Sequence, residues 1–232
     1  MIKIRSVIIT GTSRGLGYSL AEHFLKKEWR VYCTVRTEND AIKIRQMNQR
    51  LCFPIVSDVT AKTIQSKIES ALSESAKIDL LINNAGSGGR GASIAHTSVD
   101  ETAELINVHC LGPMRVTKAV LPFLKNNGII INISSRFGSM AKVASGELDD
   151  ISCSYSYRIA KAAQNMFSQC LSREFKHSGL KVCSIHPGKL KTDSASADAD
   201  KEPGEAAQRI YTLLNTIENG KFYSLFEDGM DW

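Results

Sequence analysis

Short runs of β-branched residues alternate with longer stretches of helical period along the whole chain, and this alternation restricts the fold more than any other feature. The runs Ser6 to Thr10, Arg30 to Val35, Cys52 to Val56, Leu80 to Asn83, Ile129 to Ser134, Lys181 to Ile185 and Phe222 to Ser224 read as strands. Helical character covers Leu16 to Lys27, Thr37 to Gln49, Thr60 to Ser75, Val99 to Lys125, Ser156 to His177 and Gly204 to Thr216. Strand, helix and strand in succession make the crossover unit of a parallel sheet. The expected fold is therefore α/β: a doubly wound, mostly parallel, seven-stranded sheet flanked by helices. No repeat or Pro- and Gly-rich linker divides the chain, so 1–232 is expected to be one domain. The most irregular segments, 87–95, 136–154 and 189–203, all follow strands, and ligands bind outside the carboxyl ends of such strands.

Composition removes several other classes. At 232 residues, 43% hydrophobic and 23% charged, the chain can bury a core without staples and is not disordered. Its longest apolar stretches, such as Gly128 to Ile133, fall short of the roughly 20 residues that span a bilayer. The opening MIKIRSVIITG sets Lys3 and Arg5 where a secretory signal would be apolar, so a cytoplasmic protein without a membrane partner is expected. The six cysteines form no C-x-x-C pair and have no His at metal-ligand spacing, which reads as reduced, mostly buried thiols and no metal. The net charge of +5 is dispersed, so no nucleic-acid partner is expected.

The first strand runs into Thr10-Gly11-Thr12-Ser13-Arg14-Gly15-Leu16-Gly17 and then a helix. Such a turn lets backbone approach an anion such as a pyrophosphate at the helix N-terminus, although a turn needing positive φ would carry the same letters. Further motifs follow in order. They are Asn83-Asn84-Ala85-Gly86, Asn107, Ser135, Tyr157 with Lys161, and Pro187-Gly188-Lys189-Leu190-Lys191-Thr192. Tyr157 and Lys161 are four apart, so a helix projects both into one site. An ammonium beside the phenol favours phenolate, and a lowered Tyr157 pKa suited to acid–base work is expected.

With these motifs in register, the sequence resembles the short-chain dehydrogenase/reductase family over essentially its whole length. The Tyr155-Ser156-Tyr157-Arg158 stretch and the ending EDGMDW further resemble the carbonyl-reductase branch that includes C-factor and sniffer. The resemblance implies a Rossmann-type fold and an NAD(P)(H)-dependent oxidoreductase that reduces an aldehyde or ketone to an alcohol. It makes Tyr157 the general acid, Ser135 the group that orients the carbonyl oxygen, and Lys161 a holder of the nicotinamide ribose. Asn107 would support a water through which Lys161 exchanges protons. Ser134 is the alternative to Ser135. Cofactor contacts are implied for Gly11, Thr12, Ser13, Arg14, Gly15, Leu16, Gly17, Asn84, Ala85, Gly86, Tyr157, Lys161, Pro187, Gly188, Leu190 and Thr192. Asp58 and Val59 would meet the adenine, with a helix-capping role for Asp58 as the competing reading. Asn83 would brace the sheet. His186 reads as structural, and neither His96 nor His109 receives a catalytic role.

Charge selects among cofactors. A carboxylate ending the second strand would repel a 2′-phosphate, whereas here the residues are Thr34-Val35-Arg36. Arg36 with Arg14 offers forked donors to that phosphate, so NADPH/NADP+ is expected over NADH, unless the arginines only solvate the surface. The segment between Ser135 and Tyr157 holds 21 residues, longer than the family pattern, and includes Glu147, Asp149 and Asp150. The segment from Asp193 to Pro203 is short and polar, implying an open pocket. A homodimer or homotetramer, paired through the helices of Asn107 and Tyr157, is the family expectation. The rival readings are an NAD-dependent alcohol dehydrogenase and a dinucleotide-binding sensor.

Overall fold

The computed structural model describes residues 5–73, 76–192, 199–227 and 229–232. Strands β1 (Ser6–Ile9), β2 (Arg30–Val35), β3 (Cys52–Val56), β4 (Ile78–Asn83), β5 (Leu124–Ile133), β6 (Lys181–His186) and β7 (Phe222–Ser224) form one sheet in the order β3-β2-β1-β4-β5-β6-β7. Every pairing is parallel. Helices α1 (Gly15–Lys26), α2 (Glu38–Arg45), α3 (Ile64–Ala71), α4 (Val99–Ile106), α5 (Gly112–Val120), α6 (Met140–Ala144), α7 (Tyr155–Glu174) and α8 (Pro203–Leu213) are the connections. None of the described helices is long and apolar enough to cross a membrane.

A parallel strand buried on both faces alternates between two cores. In β1, Val7 and Ile9 join Leu20, Phe24 and Ile210 beneath α1 and α8, whereas Ile8 joins Ile64, Ile68, Val116 and Val120 beneath α3 and α5. Each such side chain contributes about 1.5–3 kcal/mol by leaving water. The strand order reverses between β1 and β4, where crossovers depart to opposite faces and leave a crevice at the carboxyl ends.

A polar row crosses this apolar sheet. Asn83, Asn132 and Ser184 are register partners on β4, β5 and β6. Asn83 Nδ2 donates to Asn132 Oδ1 (2.8 Å), Asn132 Nδ2 to Ser168 Oγ of α7 (2.8 Å), and Ser184 Oγ to the same Ser168 Oγ (2.9 Å). Asn83 thus braces the sheet.

Four segments differ from the sequence expectations. The helix expected over Val99 to Lys125 is divided into α4, a π turn over Asn107–Leu111, α5 and a 3-10 turn over Leu121–Phe123. Pro113 has no N–H for the His109 carbonyl, so the ladder loses a rung there, and the Gly112 N–H bonds the Asn107 carbonyl instead. Strand β5 begins at Leu124, ahead of Ile129, because a register shift between Ile78 and Leu80 lets Leu124 pair with Ile78. The segment 136–154 contains a 3-10 turn (Arg136–Gly138) and α6, whose Ser139 cap accepts from the Lys142 N–H at 3.1 Å. The helix expected over Thr60 to Ser75 is shorter, with α3 confined to Ile64–Ala71 behind the turn that Asp58 holds, and residues 74–75 lie outside the described residues. Cys33, Cys52 and Cys183 are buried thiols, Cys110 and Cys153 are half-buried, and Cys170 is exposed.

Candidate active site

The carboxyl ends of the central strands open into one cleft of about 840 Å3, within the size of small-molecule sites. One end is shaped by backbone. Gly11 has φ +70°, and a Cβ there would lie 2.8 Å from Ala85 Cα; at Gly17 it would lie 2.1 Å from the Gly11 carbonyl oxygen. Only glycine lets the turn fold this closely under α1. Asn84 Nδ2 ties it down by donating to the carbonyls of Thr10 (2.9 Å) and Gly11 (3.1 Å). Arg14, the N-cap of α1, makes no side-chain capping bond, so the first N–H groups of the helix remain for an anion.

Gly11, Ser13, Arg14, Gly15, Leu16, Gly17, Arg36, Asp58, Val59, Asn84, Ala85 and Gly86 all line this end. Asp58 borders the cleft, and its Oδ1 accepts from the N–H (2.8 Å) and hydroxyl (2.7 Å) of Thr60; this holds the turn ahead of α3, whose N-cap is Thr63, so Asp58 does not cap the helix. Thr12 does not line it. Its side chain is fully buried and its hydroxyl donates to the Thr34 carbonyl at 3.2 Å, joining the turn to β2. Pro187, Gly188, Leu190 and Thr192 line the opposite wall, and a Cβ on Gly15 would touch Thr192 Cγ2 at 3.2 Å. Of the expected lid, residues 193–198 lie outside the described residues; its flanks pair, with Lys191 N–H donating to the Lys201 carbonyl at 2.9 Å.

The other end is shaped by side chains. Helix α7 starts where Ser154 Oγ accepts the Tyr157 N–H at 3.0 Å, which places Tyr157 and Lys161 on the face toward β5. Ser135 lines the cleft with Tyr157, near enough to lower the pKa of its phenol, while its Oγ accepts the Phe137 N–H at 3.3 Å. Ser134 turns the other way and donates to Asn165 Oδ1 at 2.6 Å. The Lys161 ammonium donates to the Ile133 carbonyl (2.7 Å) and Gln164 Oε1 (3.0 Å), and lies 5.7 Å from the Tyr157 ring centroid.

The phenol does not move as the spacing predicts. Burial pushes Tyr157 up to about 12, with Ser135 opposing, and burial pushes Lys161 down to about 7. The ammonium faces Ile133 and Gln164, so desolvation outweighs attraction. The two groups are therefore displaced in opposite directions, the phenol toward holding its proton and the ammonium toward losing it.

Asn107 does not reach the cleft. Its Oδ1 accepts from Arg115 Nη1 at 2.9 Å, outside the lining. Two residues turn a helix by about 200°. From this π turn Val108 and His109 line the cleft, His109 buried and edge-on to Tyr157 with centroids 5.4 Å apart. The break at Gly112-Pro113 was the sequence signal for this displaced turn. Asp150, Ile151, Ser152 and Cys153 bring the long segment into the lining, whereas Glu147 pairs with Lys142. His186 also borders the cleft; both ring nitrogens are buried without a partner, and burial, then Arg136, Lys142 and Lys161, push it to about 3.

Residues 5–203 match the family model described as short chain dehydrogenase. The chain belongs to the short-chain dehydrogenase family. Among curated relatives it is 30% identical over 160 residues to "C-signal" of Myxococcus xanthus, covering 67% of this chain and 93% of that protein. NADPH-bound carbonyl reductase from chicken fatty liver superposes with TM-score 0.85 at 25% identity, covering 100% of both chains. Carbonyl reductase Sniffer of D. melanogaster shares the fold, with TM-score 0.84 at 23% identity over 99% of this chain and 100% of that one. This chain is therefore a Rossmann-like oxidoreductase of the short-chain dehydrogenase family, similar to its carbonyl-reductase and C-factor-like branch.

Proposed function

We propose that this protein is an NADPH-dependent carbonyl reductase that converts an aldehyde or ketone to an alcohol. The observation that carries the reading is the cleft itself. It joins a glycine turn flanked by Arg14 and Arg36 to a half-buried Tyr157 beside the buried Ser135 and Lys161. The residues fit NADP(H). The turn from Gly11 to Gly17 and the open first turn of α1 suit a pyrophosphate, and the two arginines suit a 2′-phosphate. Asp58 and Val59 suit the adenine, and Asn84, Ala85 and Gly86 the adenosine ribose. Lys161 with Tyr157 suits the second ribose, and Pro187, Gly188, Leu190 and Thr192 suit the nicotinamide side. When bound, the dihydronicotinamide supplies a hydride.

Tyr157 Oη delivers a proton to the substrate oxygen, which Ser135 Oγ holds in place by a hydrogen bond. Lys161, near neutrality, replaces the Tyr157 proton. Gly88, Phe137, Ile151 and Cys153 line the same cleft and would offer a largely apolar surface to a carbonyl compound. The exposed apolar residues Leu111 and Met114 of the π turn and α5, with Ile159 and Met166 of α7, support pairing into a homodimer or homotetramer, which a monomer in light scattering would refute.

The deciding experiment titrates the purified protein with NADPH and NADH by nicotinamide fluorescence, then assays an aldehyde and ketone panel. NADPH binding at least about tenfold tighter, with turnover abolished in Tyr157→Phe, is the expected result. Equal affinities overturn the cofactor preference, and binding without turnover overturns the reductase reading.

A further inference from the structure

The π turn brings into the cleft a side chain whose hydrogen-bonding capacity is only half used. His109 Nε2 lies 2.8 Å from the Ser87 carbonyl oxygen, a contact that requires the hydrogen on Nε2. The Ser87 N–H approaches the same nitrogen at 3.4 Å and is the weaker contact. Nδ1 then carries a lone pair, and it is buried without a donor. Such an acceptor is costly to leave unmet, which points to a ligand or proton-path donor. The ring is held in place by its neighbours while still bordering the cleft. Tyr157 packs against it at an interplanar angle of 89°, and a Cβ on Gly86 would lie 2.7 Å from Cε1 and 3.2 Å from Nδ1.

We propose that His109 is a positioning residue of the proton-transfer site, holding Tyr157 edge-on and presenting Nδ1 as the acceptor on the path by which Lys161 regains protons. This assigns to His109 the task that sequence resemblance gives to Asn107, and it rests on the reading that Tyr157 moves a proton. The balance is simple. One proton leaves Tyr157 Oη for the substrate oxygen, one passes from Lys161 Nζ to Tyr157, and one returns to Lys161 from solvent. His109 stays neutral throughout. The groups that face it are Tyr157 and Lys161 from α7 and the Ser87 backbone after β4; burial and the Lys161 charge disfavour the imidazolium.

The test uses the full chain. In nitrogen-15 histidine NMR, His109 is expected as the neutral Nε2–H tautomer from about pH 5 to 8; an Nδ1–H tautomer or an imidazolium in that range overturns the proposal. In carbon-13 tyrosine NMR, the Tyr157 signal is expected to shift in both His109→Leu and His109→Asn, since each removes the ring packed edge-on against it, whereas only His109→Asn keeps a donor and an acceptor. No shift in the leucine variant overturns the positioning role, and this reading needs no turnover. With NADPH and a reducible aldehyde, His109→Leu should lose roughly 30-fold in kcat, with KM and NADPH Kd within about threefold. His109→Asn should recover to within about fivefold of the parent. Equal impairment of both variants, or a leucine variant at full kcat, refutes the proposal. If the leucine variant does not fold, His109→Met takes its place as the apolar variant, and the tautomer measurement on the parent protein still decides. NADPH binding without turnover by the parent refutes the reductase reading instead, and the two NMR readouts remain interpretable.

Discussion

The two ends of the cleft are built from different materials. Around Gly11 and Gly17 the surface is main chain, held by Asn84 and leaving no room for a Cβ. Around Tyr157 it is side chain, with Ser135, Lys161 and His109 all buried and two of these groups far from their ordinary acidities. A backbone surface presents one shape to any dinucleotide. Its adjustable part is the pair of arginines, and the reactive end is tuned chiefly by desolvation. Binding and chemistry should therefore respond to different substitutions.

The largest separation is expected from Tyr157→Phe, which should lower kcat by at least about 100-fold while leaving NADPH affinity within about twofold. A matching loss of affinity in fluorescence titration would break the distinction. Gly17→Ala tests the reverse. Its methyl group has no space against the Gly11 carbonyl, so thermal unfolding should show about 1–3 kcal/mol of destabilisation together with weakened binding of both nucleotides. Arg36→Ala should weaken NADPH by roughly tenfold and NADH hardly at all, as measured by competing titrations. The smallest effect is with pH. Lys161 is held at about 7, so it is protonated below that value and loses its proton above it. Reductive kcat should fall by somewhat less than tenfold between about pH 6.5 and 8, and a rise over that interval would overturn the proton path.

The sheet was legible because a parallel strand needs apolar residues on both faces, and runs such as Arg30–Val35 have few other uses. The glycine turn was legible in its letters but not in its facing: nothing in Gly11-Thr12-Ser13 says that Thr12 turns to Thr34. The π turn was hidden for a stronger reason. Helical periodicity assumes a constant rotation per residue, and the wider turn between α4 and α5 leaves Val108 and His109, and not Asn107, in the cleft. Spacing also brought Tyr157 and Lys161 together, but only the packed structure shows that the ammonium is committed to Ile133 and Gln164. Acidity depends on that commitment more than on proximity.

The row of Asn83, Asn132, Ser168 and Ser184 bears on how the site comes into being. Aliphatic side chains tolerate a strand slipped by a residue pair, since one Ile replaces another at little cost. Amides and hydroxyls do not, because a slipped register buries them unmet. Since Ser168 lies on the same helix as Tyr157 and Lys161, the row acts as a proofreading step in assembly: only a chain with β4, β5, β6 and α7 in their proper alignment closes it, and that chain has Tyr157 in the cleft.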